Sequence, residues 1–192
     1  GELHGDQERL TDLGAKLGID RPGVELKFEH SPGRRTTEFT NDGTAFDVAL
    51  FFGEPGQART VVGIETKYHE HALRESEPDA VSRMPRYEEI ADRAVADGIL
   101  APGWRNLLGT ELQQIWRDHL LVLAMLQHPN GQWDQGIYLL VHPAGNPSFA
   151  EAGKRYRDEF LADDATFAVK TVEDLLDLGV LHSPEIEQEF RD

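Results

Sequence analysis

Two consecutive apolar runs of strand length, "AFDVALFF" (45–52) and "VVGIETKYH" (61–69), carry charges in their interiors: Asp47 in the first, Glu65 and Lys67 in the second. Strand interiors disfavour such residues, and a charge withdrawn from water must be paired or bound to a metal. Either these charges line a solvated sheet face, or they form a site. The intervening "GEPGQART" holds the Gly and Pro of a hairpin loop, so the runs read as neighbouring strands. Successive strand side chains point to opposite faces, so Glu65 and Lys67 share one face while Val62, Ile64 and Thr66 point to the other. Asp47 shares a face with Ala49 and Phe51, and a hairpin register can bring it beside Glu65 and Lys67.

The chemistry of such a cluster is specific. Two carboxylates plus a backbone carbonyl, here that of Thr66, are hard oxygen donors suited to Mg²⁺ or Mn²⁺. The ion would polarise a phosphoryl oxygen and acidify a bound water. Lys67 beside it can orient or deprotonate that water and offset developing negative charge. The set suits phosphodiester hydrolysis. The spacing alone is a weak signal, because Glu25-Leu26-Lys27 repeats the acid-X-Lys pattern. Context separates the two: only Glu65-Thr66-Lys67 follows a strand with a mid-run acid and precedes a helical region.

The rest of the chain supplies the frame. "DQERLTDLGAKLG" (6–18) reads as a helix ended by Gly18, and "VELKFEH" (24–30) alternates as a half-buried strand. Residues 77–98 have helical periodicity, with Pro85 expected to break or kink the helix. Residues 109–128 form the strongest helical stripe, through Leu112, Ile115, Trp116, Leu120, Leu123 and Leu126, and their second half is apolar nearly all round. "GIYLLVH" (136–142) is a continuous apolar run, the mark of a central strand covered on both faces. A helix near 148–162, a strand at 166–170 and helices near 171–178 and 184–190 follow. The order describes an α/β layered sandwich around a mixed sheet.

Composition narrows the function. The 192 residues carry 19 Lys+Arg against 35 Asp+Glu, a formal charge of −16. Only five basic residues face 13 acidic ones after position 120. Such a surface repels phosphate backbones, so any nucleic-acid reading needs a locally less negative cleft or a basic partner protein. With no cysteine, disulfides and Cys-ligated metals are excluded. No apolar run approaches a membrane span and no basic-then-apolar leader is evident, so no membrane partner and a cytoplasmic location are expected.

With those residues in view, Asp47 in "FDVALFF" followed by "GIETKYHE" resembles the core of the PD-(D/E)XK nuclease superfamily, which includes restriction endonucleases and many repair and phage exonucleases. The likeness is greatest to restriction-endonuclease-like proteins of bacteria. It implies a restriction-endonuclease-like three-layer core, a mixed β-sheet flanked by helices, over about residues 6–142, with 143–192 as a C-terminal extension of one domain. It further implies a metal-dependent endo- or exonuclease acting on DNA in a defence, repair or mobile-element system; the protein partners left open are a basic partner protein and a second copy of the chain in a homodimer. Asp47 matches the metal-binding acid, Glu65 the second acid and Lys67 the lysine; Phe46 stands where the family pattern has Pro. Some members add an acid on the first helix, for which Glu8 is nearest, and a Gln on the later helix, for which Gln114 with Arg117 stands. Arg34, Arg35, Arg74, Arg83 and Arg86 flank the site in sequence as candidate phosphate contacts.

Two other readings compete. One keeps the fold without the chemistry, as an inactive assembly domain. The other is an acidic DNA mimic, which would exploit the charge but has no need of a lysine among clustered carboxylates. "HEH" (69–71) invites a zinc reading, yet two histidines without a third ligand read better as polar strand-end residues. The layered reading requires strands 24–30, 45–52, 61–68 and 136–142 in one sheet, with the 109–127 helix across it and Trp116 and Leu120 buried.

Overall fold

The structure, a computed structural model of the chain, describes residues 7–54 and 56–179. Among them the elements run α1 (Gln7–Lys16), β1 (Gly23–His30), β2 (Phe46–Phe52), β3 (Arg59–Thr66), α2 (Met84–Ala96), α3 (Gln113–Leu126), β4 (Trp133–His142), α4 (Pro147–Phe160), β5 (Phe167–Thr171) and α5 (Val172–Asp177), with a 3₁₀ turn at Trp104–Leu107. The expected helix near 184–190 lies outside the described residues.

The five strands form one sheet in the order β1-β2-β3-β4-β5. The first three make an antiparallel meander, and β4 and β5 join in parallel to it and to each other. The sheet is therefore mixed, as the order of apolar runs implies. The parallel joins need crossovers, and the helices between β3 and β4 and between β4 and β5 provide them.

Each sheet face is covered. On one, Leu10 and Leu13 of α1 pack against Leu50, Phe52, Val62, Leu139 and Val141, with Val172 and Leu175 of α5 beside them. On the other, α2, α3 and α4 lie over Ala49, Phe51, Val61, Tyr138 and Leu140. Helix α3 crosses β3 and β4, and Trp116 and Leu120 are fully buried. Trp116 stacks on Trp104 with ring centroids 5.3 Å apart, which ties the 3₁₀ turn to the core. The near-continuous apolar run of α3 follows from its position in the middle of this layer.

Two helix boundaries differ from the sequence reading. Residues 77–83 are not helical, and Pro85 lies in the first turn of α2 instead of breaking it. A first-turn Pro loses nothing, because its missing N–H would have had no intrahelical partner. Upstream, Asp79 accepts from the N–H groups of Val81 and Ser82 and closes a turn that leads into the helix. Likewise α3 starts at Gln113, not 109, because the Gln113 side chain accepts from the Gly109 N–H and holds 109–112 as a turn.

The loop before β2 is fixed by Asp42. Burial alone would raise its pKa, but bonds from Thr44, Tyr87 and Thr40 outweigh that and hold it below the ordinary carboxylate range. Tyr87 belongs to α2, so one buried carboxylate locks the entry of β2 to the helical layer. Phe46 then turns its ring onto Gly63, where an added Cβ would lie 2.4 Å from the ring. Gly63→Ala should therefore displace Phe46 and cost about 1–3 kcal/mol, read as a lowered denaturant midpoint; an unchanged midpoint would show that the Phe46 ring is free to move.

His119 lies fully buried on α3 between the Tyr156 hydroxyl at 2.8 Å and the Thr166 hydroxyl at 2.9 Å. Burial pushes its pKa down to about 3. The native state therefore resists a proton that the unfolded chain accepts near pH 6.5. Stability from this group is complete above about pH 6.5 and is lost as pH falls toward 3, by on the order of 5 kcal/mol in all. Urea midpoints from pH 7 to pH 4 should fall more steeply for wild type than for His119→Gln.

Candidate active site

The β2–β3 ladder runs to Val48↔Ile64, so the next step along the adjacent strands is Asp47 and Glu65. That is the juxtaposition the sequence predicts. Glu65 shares its face with Val61 and Gly63 and so lies under the α2–α4 layer, only 8% exposed. Its Oε1 accepts from Lys67 Nζ at 2.7 Å, with both side chains largely buried. Lys67 falls just past the end of β3, yet its backbone N–H still donates to Val141 O at 2.8 Å. The parallel partner β4 therefore fixes the lysine that the hairpin alone would leave loose.

Asp47 is held differently from the simple alternation. Its Oδ2 accepts from the Thr66 N–H at 2.8 Å and the Thr66 hydroxyl at 2.6 Å. The carboxylate thus clamps the end of β3 and does not bond Glu65 or Lys67 directly. It remains half-exposed, and its charge still acts on Glu65. The Glu65 carboxyl is pushed upward chiefly by burial and also by Asp47, against the lowering effect of Lys67 and of Arg117.

The largest addition to the sequence reading is Asp118. This α3 residue is 4% exposed, and its Oδ2 has no hydrogen-bond partner. Burial, then the neighbouring Glu65, raise its carboxyl well above the ordinary range, and Arg117 and Lys67 only partly offset them. It is therefore a third acid beneath the motif, and its burial favours the protonated form. The sequence carried one signal for it: an acid in the middle of the longest apolar helical stripe, in the same way that Asp47 interrupts β2.

The accessory expectations divide. Arg117 belongs to the cluster: its guanidinium pairs with Glu75 Oε2 at 2.6 Å and approaches Asp118 Oδ1 at 3.9 Å. The amide beside it is Gln113, one turn earlier, not Gln114; Gln113 Nε2 donates to Glu75 Oε2 at 3.2 Å and to Ser76 O at 2.8 Å. Spacing of four places Gln113 and Arg117 on one helix face. Glu8 does not join the site. It is exposed on α1, on the opposite side of the sheet from Glu65, and no hydrogen bond or ion pair links it to Asp47, Glu65 or Lys67. Of the arginines, Arg83 lines a cleft of about 340 Å³ with Arg117, whereas Arg86 is bound to Phe39 O, Glu38 O and Glu89. His69 and His71 are exposed, and among the described residues no three His, Cys, Asp or Glu side chains are grouped as metal ligands.

A model of the PD-(D/E)XK nuclease superfamily matches residues 1–192. The chain belongs to that superfamily. No curated protein and no solved structure matches it. The mixed five-stranded sheet with helices on both faces is the restriction-endonuclease-like α/β fold, and the superfamily consists generally of nucleases. No helix among the described residues is long and apolar enough to cross a membrane.

The buried acid gives a test of this geometry. Because the native state keeps a proton on Asp118 that the unfolded chain releases, that group stabilises the fold below the ordinary carboxylate pKa, and the contribution is lost as pH rises through the raised value. Asp118→Asn should gain stability relative to wild type progressively from pH 5 to pH 9, measured by chemical denaturation. Parallel curves for the two proteins would place the Asp118 carboxyl in contact with water.

Proposed function

We propose that the chain is a metal-dependent nuclease that hydrolyses phosphodiester bonds in DNA through Asp47, Glu65 and Lys67. The observation that carries this reading is the buried Lys67–Glu65 pair at 2.7 Å, with Asp47 on the adjacent strand. A structural ion pair would gain little from such a position, since desolvation of both groups offsets their attraction. A site that binds phosphate and water has reason to keep it.

The donor chemistry fits a hard divalent ion. Asp47 and Glu65 would hold it with carboxylate oxygens, and Thr66 would add its carbonyl. Mg²⁺ or Mn²⁺ would supply Lewis-acid polarisation of the phosphoryl group and a more acidic water. The chain's own part is distinct from this. Lys67 Nζ, anchored through its backbone to β4, orients the attacking water, and its charge offsets the negative charge that develops on the phosphoryl oxygens. Thr66 fixes the Asp47 carboxylate through two hydrogen bonds, so that it meets a cation without reorganising. Arg117 keeps a cation over the acids and offsets their mutual repulsion.

The acidic surface favours a second reading, a DNA mimic, but Lys67 and Arg117 stand among the very carboxylates such a mimic would present. Bulk charge also leaves room for a basic partner protein that brings the substrate.

Purified protein should cleave DNA with Mg²⁺ or Mn²⁺ and stop on addition of EDTA. Lys67→Ala should lose about a hundredfold or more in rate while still binding metal, and Glu65→Ala should lose both. Circular dichroism of Lys67→Ala must first show a native fold, because that change leaves Glu65 without its partner. Absence of cleavage by wild type, joined to salt-sensitive binding of a basic DNA-binding protein, would favour the mimic.

Metal binding gives an independent readout. At a hundredfold excess over Kd, an ion bound only by the native state stabilises by about 2.7 kcal/mol. Melts with Mn²⁺ should shift upward for wild type and not for Asp47→Asn; equal shifts would move the ion elsewhere.

A further inference from the structure

Between β3 and α2 the chain runs through residues 67–83 without helix or strand, draped over the ends of α3 and α4. Ala72 packs against the core, and the other anchors are polar. The Asn146 amide donates to Glu70 O, the Ala72 N–H to Ser148 Oγ, the Gln113 amide to Ser76 O, and the Asn41 amide to Ser82 O. Leu73 and Val81 on this strap are largely exposed, so it is not held by apolar packing at those positions. Between Lys67 at its start and Arg83 at its end, the strap turns the charge of Glu75 toward α3.

A single oxygen of Glu75, Oε2, receives both Arg117 Nη1 at 2.6 Å and Gln113 Nε2 at 3.2 Å. Gln113 is buried and its orientation is fixed at both ends, by Gly109 N–H on its oxygen and Ser76 O on its nitrogen. Arg117 is held from behind by Asp118 and lies close enough to Glu65 to lower its pKa. Both donors rise from α3, and the Gly109 bond orients the Gln113 amide without the strap, whereas the acceptor rides on the strap. They open into the cleft of about 340 Å³ that Arg83 and Tyr87 also line. A guanidinium with an adjacent amide donor binds a phosphate oxygen as readily as a carboxylate oxygen.

We propose that Arg117 and Gln113 form a phosphate subsite of this cleft and that the Glu75 carboxylate is its intramolecular occupant, displaced when a nucleic-acid backbone enters. The inference rests on the nuclease reading for the identity of the phosphate donor, but not for the subsite itself. It also answers the difficulty raised by the overall charge of −16. The cations beside the motif are masked by an exchangeable anion, so the cleft becomes locally positive only when the strap yields.

The test compares wild type, Glu75→Ala, Glu75→Gln and the Glu75→Ala, Arg117→Lys double variant, all as the full chain. Binding is measured in EDTA for two probes: inorganic pyrophosphate by calorimetry and a fluorescent single-stranded oligodeoxynucleotide by anisotropy. Glu75 is half-exposed on a coil, so its replacement leaves the core intact. Both single variants should bind pyrophosphate about fivefold more tightly than wild type, the factor set by removal of one competing partly exposed ion pair. The double variant, which keeps the charge beside Asp118 but loses the fork, should lose that gain. Equal pyrophosphate affinity in wild type and both Glu75 variants would overturn the subsite, as would a gain that survives in the double variant. A pyrophosphate gain without binding or cleavage of DNA by any protein would uphold the subsite and reject the nuclease reading. DNA cleavage by wild type, with no change in either affinity on removing Glu75, would do the reverse.

Discussion

The structure turns on the cost of burying charge between the sheet and α3. Glu65 and Lys67 rise from β3, Arg117 and Asp118 descend from α3, and all four meet in a layer that is otherwise apolar. Withdrawing such groups from water is unfavourable unless each finds a partner. Here the accounts close only in part: Lys67 meets Glu65, Arg117 meets Glu75, and Asp118 keeps one oxygen unbonded. A layer interface chosen for stability alone would hold leucines at these positions.

The supporting parts of the fold serve to place these groups. Asp42 bridges the loop before β2 to Tyr87 of α2, which sets where β2 begins. Phe46 settles over Gly63, and Asp47 then clamps Thr66. On the other side of β3, the parallel pairing with β4 continues to the backbone of Lys67. Each of the three motif residues is therefore positioned by a different neighbour. That explains why the site needs the mixed sheet and not merely a hairpin.

Membership of the superfamily and the strongly acidic charge pull in opposite directions, and local structure reconciles them. Net charge describes solubility and long-range steering, not the content of one cleft. Lys67 and Arg117 stand beside the acids of the motif and Arg83 lines the adjoining cleft, whereas Arg86 is committed to the carbonyls of Glu38 and Phe39 and Arg105 to the carboxylates of Glu88 and Asp92. The proposed exchange of Glu75 for phosphate uses this local difference.

Alternation, apolar runs and turn residues determined the elements, their order and the mixed sheet, because strand faces and helix stripes are written at short range in the chain. They also placed Asp47, Glu65 and Lys67 together, since a hairpin register needs only the loop and two strands. Helix starts were less legible. Pro85 and Gln113 act through single backbone groups, whose partners depend on where the chain turns. The burial of Asp118 was marked only by an acid inside an apolar helical stripe, and the bonding of Asp47 to Thr66 and the place of Gln113 beside Arg117 were not legible at all. Each depends on which side chains two separate layers bring within a few ångströms, and no local pattern records that distance. The sequence by itself determined that Asp47, Glu65 and Lys67 would fall at neighbouring strand ends; only the tertiary structure decided which further charges α3 buries over them and which of all these groups meet.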